Sequence, residues 1–471
     1  MISSKNGKFL AGGFLTVSLG LWLRSLALVR EPWYDEYYSL VESSTSLQTL
    51  REGDQPPLYF FLLALARAQD SVWEARVFTL LISAVFLVCL LLFLRKFGHQ
   101  GALLACLVGA TAPMLTRYGV EIRAYGLLVL LSLVVVQLTD YLRKKPDSPP
   151  AFLALLVTLI AASWTHAVGV FLAPAAVGIW RLGSRGSKPQ YFRWISLLFV
   201  PVMATGTWLL YYRLDKKHRY GWIPELSWDK STAELFKFVT GSGGIPSFSS
   251  PCGDSIQPAV TASLVLFTLA IGVAAWKGRE GRLYLWGVGL YLAQMVFVSA
   301  VYEGIILGRT LLPMFGFLLF FFAASFESIQ ERRIRLLVGA LVVTFSLLSV
   351  WRWVACDAAH SPEPWNQVAT VLKENATDSD IILAEYRIHP IPLFHLPEFK
   401  GEMDFYMGPG DVDVQDTDPD KVVYLLAFAQ SNRRGNEELY ARFAELRDGA
   451  ILYKDRLATL WRYEVERQSS K

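Results

Sequence analysis

The sequence predicts a polytopic α-helical membrane protein that carries a small C-terminal α/β domain. Three observations predict it. Apolar runs of about 20 residues, the length that crosses a hydrocarbon core, recur along most of the chain. Hydrophobic residues make up 53% of the 471 and charged residues 18%, against about 25% charged in an ordinary soluble domain. Beyond residue 355 the long apolar runs stop, and short strand-like and helix-like patterns alternate.

Eleven spans follow from the apolar runs, at 9–29, 73–94, 101–117, 121–141, 150–165, 167–181, 194–212, 258–276, 282–301, 309–327 and 334–353. The first could be a signal peptide. Its length, Arg24, the lack of a small-residue cleavage site and the following Glu31-Pro32-Trp33-Tyr34 favour a retained helix. The loop at 30–71 holds an amphipathic helix near 35–51 and the apolar piece Pro57-Leu58-Tyr59-Phe60-Phe61-Leu62-Leu63-Ala64-Leu65, too short to span and suited to an interface. The fifth and sixth spans are short and meet at Trp164-Thr165-His166. The loop at 211–258 is polar and aromatic, with Lys216-Lys217-His218-Arg219-Tyr220.

Charge sets the orientation. With Lys5 and Lys8 in the cytoplasm, Arg95-Lys96, Arg143-Lys144-Lys145, Arg181, Arg185 and Lys188, then Lys277, Arg279 and Arg282, then Arg332, Arg333 and Arg335 all fall on that side. The C-terminal part is then extracytoplasmic, in a multi-pass protein of the plasma (bacterial inner) membrane. That part reads as a helix at 364–375, strands at 380–385 and 421–428, a helix at 436–447, and strands at 450–453 and 458–465. Two domains result: a membrane domain at 1–355, including the outer first loop, and an α/β domain at 356–471.

Several function classes are excluded. The net charge is only +4 and the cations gather at helix ends, which suits topology rather than nucleic acid. No GxxxxGK[ST] loop is present, so nothing points to a nucleotide-driven pump. No Cys/His spacing suggests zinc. Cys89 and Cys106 sit in apolar runs as small core residues, whereas Cys252 and Cys356 fall outside the membrane, where a disulfide is permitted but not required.

Ionisable residues at membrane depth are costly and point to function. Asp35 and Glu36 sit among Trp33, Tyr34, Tyr37 and Tyr38 where the first span ends. Asp54-Gln55-Pro56-Pro57-Leu58-Tyr59 closes that loop, and Arg76 opens the second span. Glu121-Ile122-Arg123-Ala124-Tyr125, His166 and Gly308-Arg309-Thr310-Leu311-Leu312-Pro313 lie at the outer ends of later spans. Each has a bland reading. Aromatics anchor at interfaces, acids favour a helix's first turn, Arg123 can snorkel, and Asp54 suits a turn. Together on one face they suit transfer from a lipid-linked phosphate. Arginine forks match phosphate oxygens, a carboxylate takes a proton from the acceptor, and aromatics shelter the sugar or lipid.

Trp33-Tyr34-Asp35-Glu36, Gln55-Pro56-Pro57-Leu58-Tyr59, Glu121-Ile122-Arg123-Ala124-Tyr125, Trp164-Thr165-His166 and Arg309-Thr310-Leu311-Leu312-Pro313 resemble, in order and spacing, motifs of the C-type (GT-C) glycosyltransferases. The likeness is to the branch of the protein O-mannosyltransferases and the lipid A aminoarabinose transferase, and covers roughly 9–353. It implies a GT-C-like membrane domain and a cell-envelope glycosyltransferase. Such an enzyme moves a hexosyl or pentosyl group, with inversion, from a polyprenyl-phosphate donor to an acceptor of unnamed class. No nucleic acid is involved.

On that resemblance Asp35 is the general base, supported by Glu36. Arg123, Tyr125, Arg309 and Arg76 bind the donor phosphate; Glu121, Gln55, Tyr59 and Trp33 bind substrate. Gln55 stands where the family often has a basic residue. Asp54 and His166 match positions that hold a divalent metal in some members. Carboxylate plus imidazole is only half a metal site, and no cofactor is otherwise required. A transporter or lipid-linked sugar flippase is the competing reading. It would carry its charges at mid-bilayer in repeated halves, neither of which this sequence shows. A non-catalytic assembly protein is a further alternative, and leaves the acidic pair without a role.

Overall fold

The computed structural model describes residues 4–30, 32–44, 56–183, 190–213, 231, 234–235, 238–239, 257–278, 280–301, 305–357, 365–385, 390–396, 398–406, 421–428, 448–454 and 458–464. Backbone contacts divide the chain into two compact units. One comprises Met1–Val29 and Thr45–Ala359, the other Arg30–Ser44 and His360–Lys471. Residues 30–44 group with the C-terminal part and not with the helices on either side of them.

The first unit is helical. It contains α1 (Ser4–Ser25), α3 (Leu58–Leu65), α4 (Val72–Leu94), α5 (His99–Thr111), α6 (Pro113–Tyr118), α7 (Tyr125–Lys144), α8 (Pro149–Thr165) and α9 (Leu172–Gly183). It continues with α10 (Tyr191–Arg213), α11 (Gln257–Lys277), α12 (Arg282–Val301), α13 (Met314–Ser328) and α14 (Arg332–Arg352). Val72–Phe97, Tyr125–Lys144, Arg282–Val301 and Arg332–Ala355 are long and apolar enough to cross a membrane. Shorter apolar helices stand at Pro149–Thr165, Ala167–Gly183, Tyr191–Gly206, Val265–Lys277 and Met314–Ser328. The protein is a multi-pass membrane protein.

The order of burial follows sequence pattern. Helix α13 is apolar all round and buried from Met314 to Phe326, so it forms the centre, with α5, α7, α11 and α12 packed on it. Peripheral helices bury one stripe and present leucine, valine and aromatic side chains outward, such as Trp73, Leu81, Val85 and Leu92 on α4. Helix ends are set locally. Ser71 accepts the Glu74 N–H at the start of α4. Gly98, at φ +139°, lets α5 start where a Cβ would collide with Glu327, whose carboxylate accepts the Gly101 N–H at 2.7 Å. Two prolines open α8.

One end of this unit is basic. Asp140 of α7 receives Lys96 at 2.6 Å, Arg143 at 2.8 Å and the Tyr284 hydroxyl at 2.8 Å, which ties α4, α7 and α12 together. Replacing that carboxylate would leave like charges gathered at a buried point.

The second unit contains α2 (Tyr34–Ser44), α15 (Trp365–Asn375), α16 (Pro390–His395) and a sheet of β1 (Ile381–Glu385), β2 (Glu402–Tyr406), β3 (Val423–Phe428), β4 (Asp448–Lys454) and β5 (Ala458–Glu464). Strand order is β2-β1-β3-β5-β4, with β1 parallel to β2 and β3 and β5 antiparallel to both neighbours. Trp365, Val368, Ala369 and Leu372 recur at helical spacing and are buried. Strand β2 and helix α16 were not expected. Glu402 and Asp404 make β2 read as a polar loop, as suits an edge strand, and α16 has six residues of which two are proline. The expected helix at 436–447, Cys252 and the side chain of Cys356 lie outside the described residues.

Candidate functional site

One expected span is interrupted, and two others open on 3-10 turns, at the end of the first unit opposite the basic cluster. Irregular backbone at membrane depth is tolerated only where protein or a water-filled cavity surrounds it, so these breaks mark a special region.

The first break divides the expected span at 101–117 and delays the next until Tyr125. Pro113 ends α5 because it has no N–H for the Gly109 carbonyl. Arg24 supplies the missing donors. Buried at the end of α1, its guanidinium donates to the carbonyls of Gly20, Ala110, Gly109 and Leu115 at 2.9–3.1 Å. A tight turn follows, in which the Arg123 N–H donates to the Glu121 carbonyl at 2.7 Å. Ser83 pins that turn by donating to the Gly119 carbonyl at 2.6 Å. Glu121, in the turn, pairs back four residues to Arg117 of α6 at 2.6 Å.

The second break is His166, which caps α8 in extended conformation before a tight 3-10 turn at Ala167–Phe171. Its Nδ1 accepts the Val168 N–H at 3.3 Å. The third is a 3-10 turn at Gly308–Leu311 that carries Arg309. The Gly308 N–H donates to the Glu234 carboxylate at 2.7 Å, and Leu307 N–H to the Thr310 hydroxyl at 2.9 Å.

Two tyrosines join the breaks. Tyr125 lies 5.0 Å from the Tyr118 ring and 5.1 Å from the His166 ring, which couples the first break to the second. The Tyr291 hydroxyl donates to the Thr310 carbonyl at 2.9 Å, with the Val168 carbonyl at 3.4 Å, which couples the second to the third. The charges of both Arg123 and Arg309 act on the His166 ring. Arg123, Tyr125, His166 and Arg309, expected from four separate motifs, are therefore one cluster.

His166 does not suit a metal ion in this arrangement. An Nδ1 that accepts a backbone N–H carries no proton, so in the neutral ring Nε2 holds it and serves as a donor. Two neighbouring guanidinium groups add repulsion for a cation. Among the described residues no group of three His, Cys, Asp or Glu is gathered for a metal, and Asp54 lies outside them, as does Gln55.

Four other expectations meet different surroundings. Arg76 is buried and donates to the carbonyls of Ala27 and Leu28, both at 3.2 Å, where it clamps the end of α1 to α4. Tyr59 is fully buried, its hydroxyl 3.1 Å from that of Thr79 and its ring against Phe60 and Phe78. Glu121, expected to meet substrate, is fully buried against Arg117. Trp33 is buried and immediately precedes α2.

The acidic pair belongs to the second unit. Glu36 is fully buried. It accepts the Trp33 backbone N–H at 3.3 Å, half of a capping box at the start of α2, with Arg30 at 4.0 Å. Asp35 is half-buried in the same first turn. The pair is thus divided by environment: one carboxylate fixes the helix start, the other is partly open.

Arg24, Arg117, Tyr118, Glu234 and Tyr291 escaped the sequence reading. Arg117 stands four residues before Glu121, and that spacing was a usable signal. Glu234 and Tyr291 gave none, since their partners are backbone groups distant in sequence.

No protein-family model matches this chain, and no curated protein matches it by sequence. Its fold does match solved structures. The apo crystal structure of ArnT from Cupriavidus metallidurans covers 98% of this chain and 98% of its own, with TM-score 0.64 and 14% identity. The same protein bound to undecaprenyl phosphate covers 98% of each, with TM-score 0.61 and 12% identity. The apo oligosaccharyltransferase of Archaeoglobus fulgidus matches at TM-score 0.55 and 10% identity, over 100% of this chain and 76% of that one. At such identities the shared property is the fold.

Proposed function

We propose that this chain, which has the fold of the C-type (GT-C) membrane glycosyltransferases, transfers a sugar from a polyprenyl-phosphate donor to an acceptor at the extracytoplasmic face. The observation that carries the reading is the cluster of Arg123, Arg309, Tyr125 and His166 at three chain breaks. Two guanidinium groups and an imidazole N–H make a largely buried, donor-rich cluster, the chemistry that holds a phosphate. Its place opposite the basic end accords with a site outside the cytoplasm under the positive-inside rule. A neighbour of this fold binds undecaprenyl phosphate, which supports the same lipid class here.

The reaction then runs as follows. Arg123 and Arg309 grip the phosphate of the donor. Asp35 takes the proton from an acceptor hydroxyl or amine. The acceptor's electron pair forms a bond to the anomeric carbon as the carbon–oxygen bond to phosphate breaks, which inverts that centre. Polyprenyl phosphate leaves with the bonding pair, its growing charge stabilised by the two arginines. Glu36 supports Asp35 indirectly, by fixing the first turn of α2. Arg76, Glu121 and Tyr59 hold the surrounding helices in place. The hexosyl or pentosyl identity of the sugar is a question for a donor screen.

The test is to incubate the purified protein in sealed lipid vesicles with a panel of polyprenyl-phosphate sugars and cell-envelope acceptors, and to follow release of polyprenyl phosphate and the leaflet that holds the intact donor. Release that depends on acceptor supports transfer. Movement of intact donor across the bilayer without release would support the flippase reading instead.

A further inference from the structure

We infer that His395 is a positioning residue for the transfer, holding the helix that carries Asp35 through a clasp on Tyr37; this rests on the function proposed above. The observations lie within the second unit. Helix α2 groups with residues 360–471 although its sequence neighbours belong elsewhere. Its packing partner there is α16. A hydrogen bond of 2.9 Å joins His395 Nε2 and the Tyr37 hydroxyl, across 358 positions of sequence. The Tyr37 ring lies 5.3 Å from Phe394 and 5.0 Å from His395, so the tyrosine is held on two sides by one short helix. Tyr37 is fully buried.

Helix α2 needs such a clasp. It has 11 residues, below the length at which a helix persists alone in water. Tyr37 stands two residues after Asp35, so rotation or fraying at Tyr37 moves the carboxylate directly. A misplacement of about 1 Å is enough to cost roughly a hundredfold in rate. Helix α16 is suited to the fixed side: Pro390 and Pro392 limit its backbone, and it also packs on α15. The C-terminal domain thereby acts on the reaction without supplying a reacting group.

The experiment compares Tyr37→Phe, His395→Leu and His395→Gln in nanodiscs, with hydrogen exchange at α2 and steady-state kinetics as the readouts. Tyr37→Phe removes only the hydroxyl, and His395→Gln keeps an amide able to reach it. Tyr37→Phe and His395→Leu should lower kcat about tenfold or more, leave donor KM within about twofold, and speed exchange at the α2 amides. His395→Gln should recover kcat to within about threefold of wild type. Unchanged kcat and unchanged α2 exchange in the first two variants would overturn the clasp. So would a parallel loss of donor affinity, which signals general damage. Wild-type protein and Asp35→Asn are run beside them. If these two do not differ, the transferase reading fails, and α2 exchange alone then decides the clasp.

Discussion

Replacing Arg24 by methionine should loosen the junction of α5 and α6 and, through it, the turn that carries Arg123. Methionine keeps the apolar stem and removes all the donors. Leu115's carbonyl retains the Gly119 N–H, and Ala110's retains the Thr116 hydroxyl. The Gly109 carbonyl keeps no helical partner, because residue 113 is proline. An orphaned buried carbonyl costs about 1–3 kcal/mol, and loss of the charge removes a desolvation penalty that offsets part of this, so the net local loss is about 1–2 kcal/mol. That corresponds to roughly 5–30-fold faster hydrogen exchange at the Thr116 and Gly119 amides. The disturbance should spread to the cluster of Arg123, since Gly119 packs so closely that a Cβ there would meet Arg24 Nε at 2.5 Å. The assay is hydrogen exchange read by mass spectrometry, with Arg24→Lys as the partial rescue. Unchanged exchange over residues 113–125 in Arg24→Met would refute the reasoning.

Three more outcomes are expected. Arg123→Ala and Arg309→Ala should each weaken binding of polyprenyl phosphate by about 10–150-fold, the range of one charge-assisted hydrogen bond of about 1.5–3 kcal/mol; titration of the lipid phosphate checks this, and unaltered binding in both would remove the phosphate site. A chelator should leave turnover unchanged and His166→Asn should keep residual activity, because His166 serves as a donor; restoration of activity by a divalent ion alone would contradict that. His395 is pushed down to about 4, first by burial and then by the Lys373 charge, with Tyr37 the other titratable group facing it. Between pH 6.5 and 4 the unfolded chain binds a proton there that the folded one does not, so stability of the C-terminal unit is lost as the pH is lowered through that window, by up to about 1.4 kcal/mol per unit for this group. Melting curves of wild type and His395→Gln should therefore differ in slope over that window, and parallel curves would count against it.

The membrane character, the succession of apolar helices and the small C-terminal sheet were legible because each rests on local pattern: apolar run length, and period-two or helical spacing. The breaks were not. Glu121 and Arg123 read as the first turn of a helix, yet α7 begins at Tyr125, because Arg24 and Ser83 stabilise a tight turn from positions remote in sequence. Arg76 and Arg123 look alike as outer arginines at span starts. Only the fold tells a helix clamp from a member of the cluster. The acidic pair shows the same limit. Two adjacent carboxylates suggest a shared task, whereas burial assigns Glu36 to the helix start and leaves Asp35 partly open.

The central claim is tested most directly by single-turnover transfer from a polyprenyl-phosphate sugar in wild type and Asp35→Asn, with binding of polyprenyl phosphate measured on the same samples. Loss of transfer by two or more orders of magnitude, with lipid-phosphate affinity kept within about threefold, is the predicted result. Transfer at the wild-type rate in Asp35→Asn would contradict it.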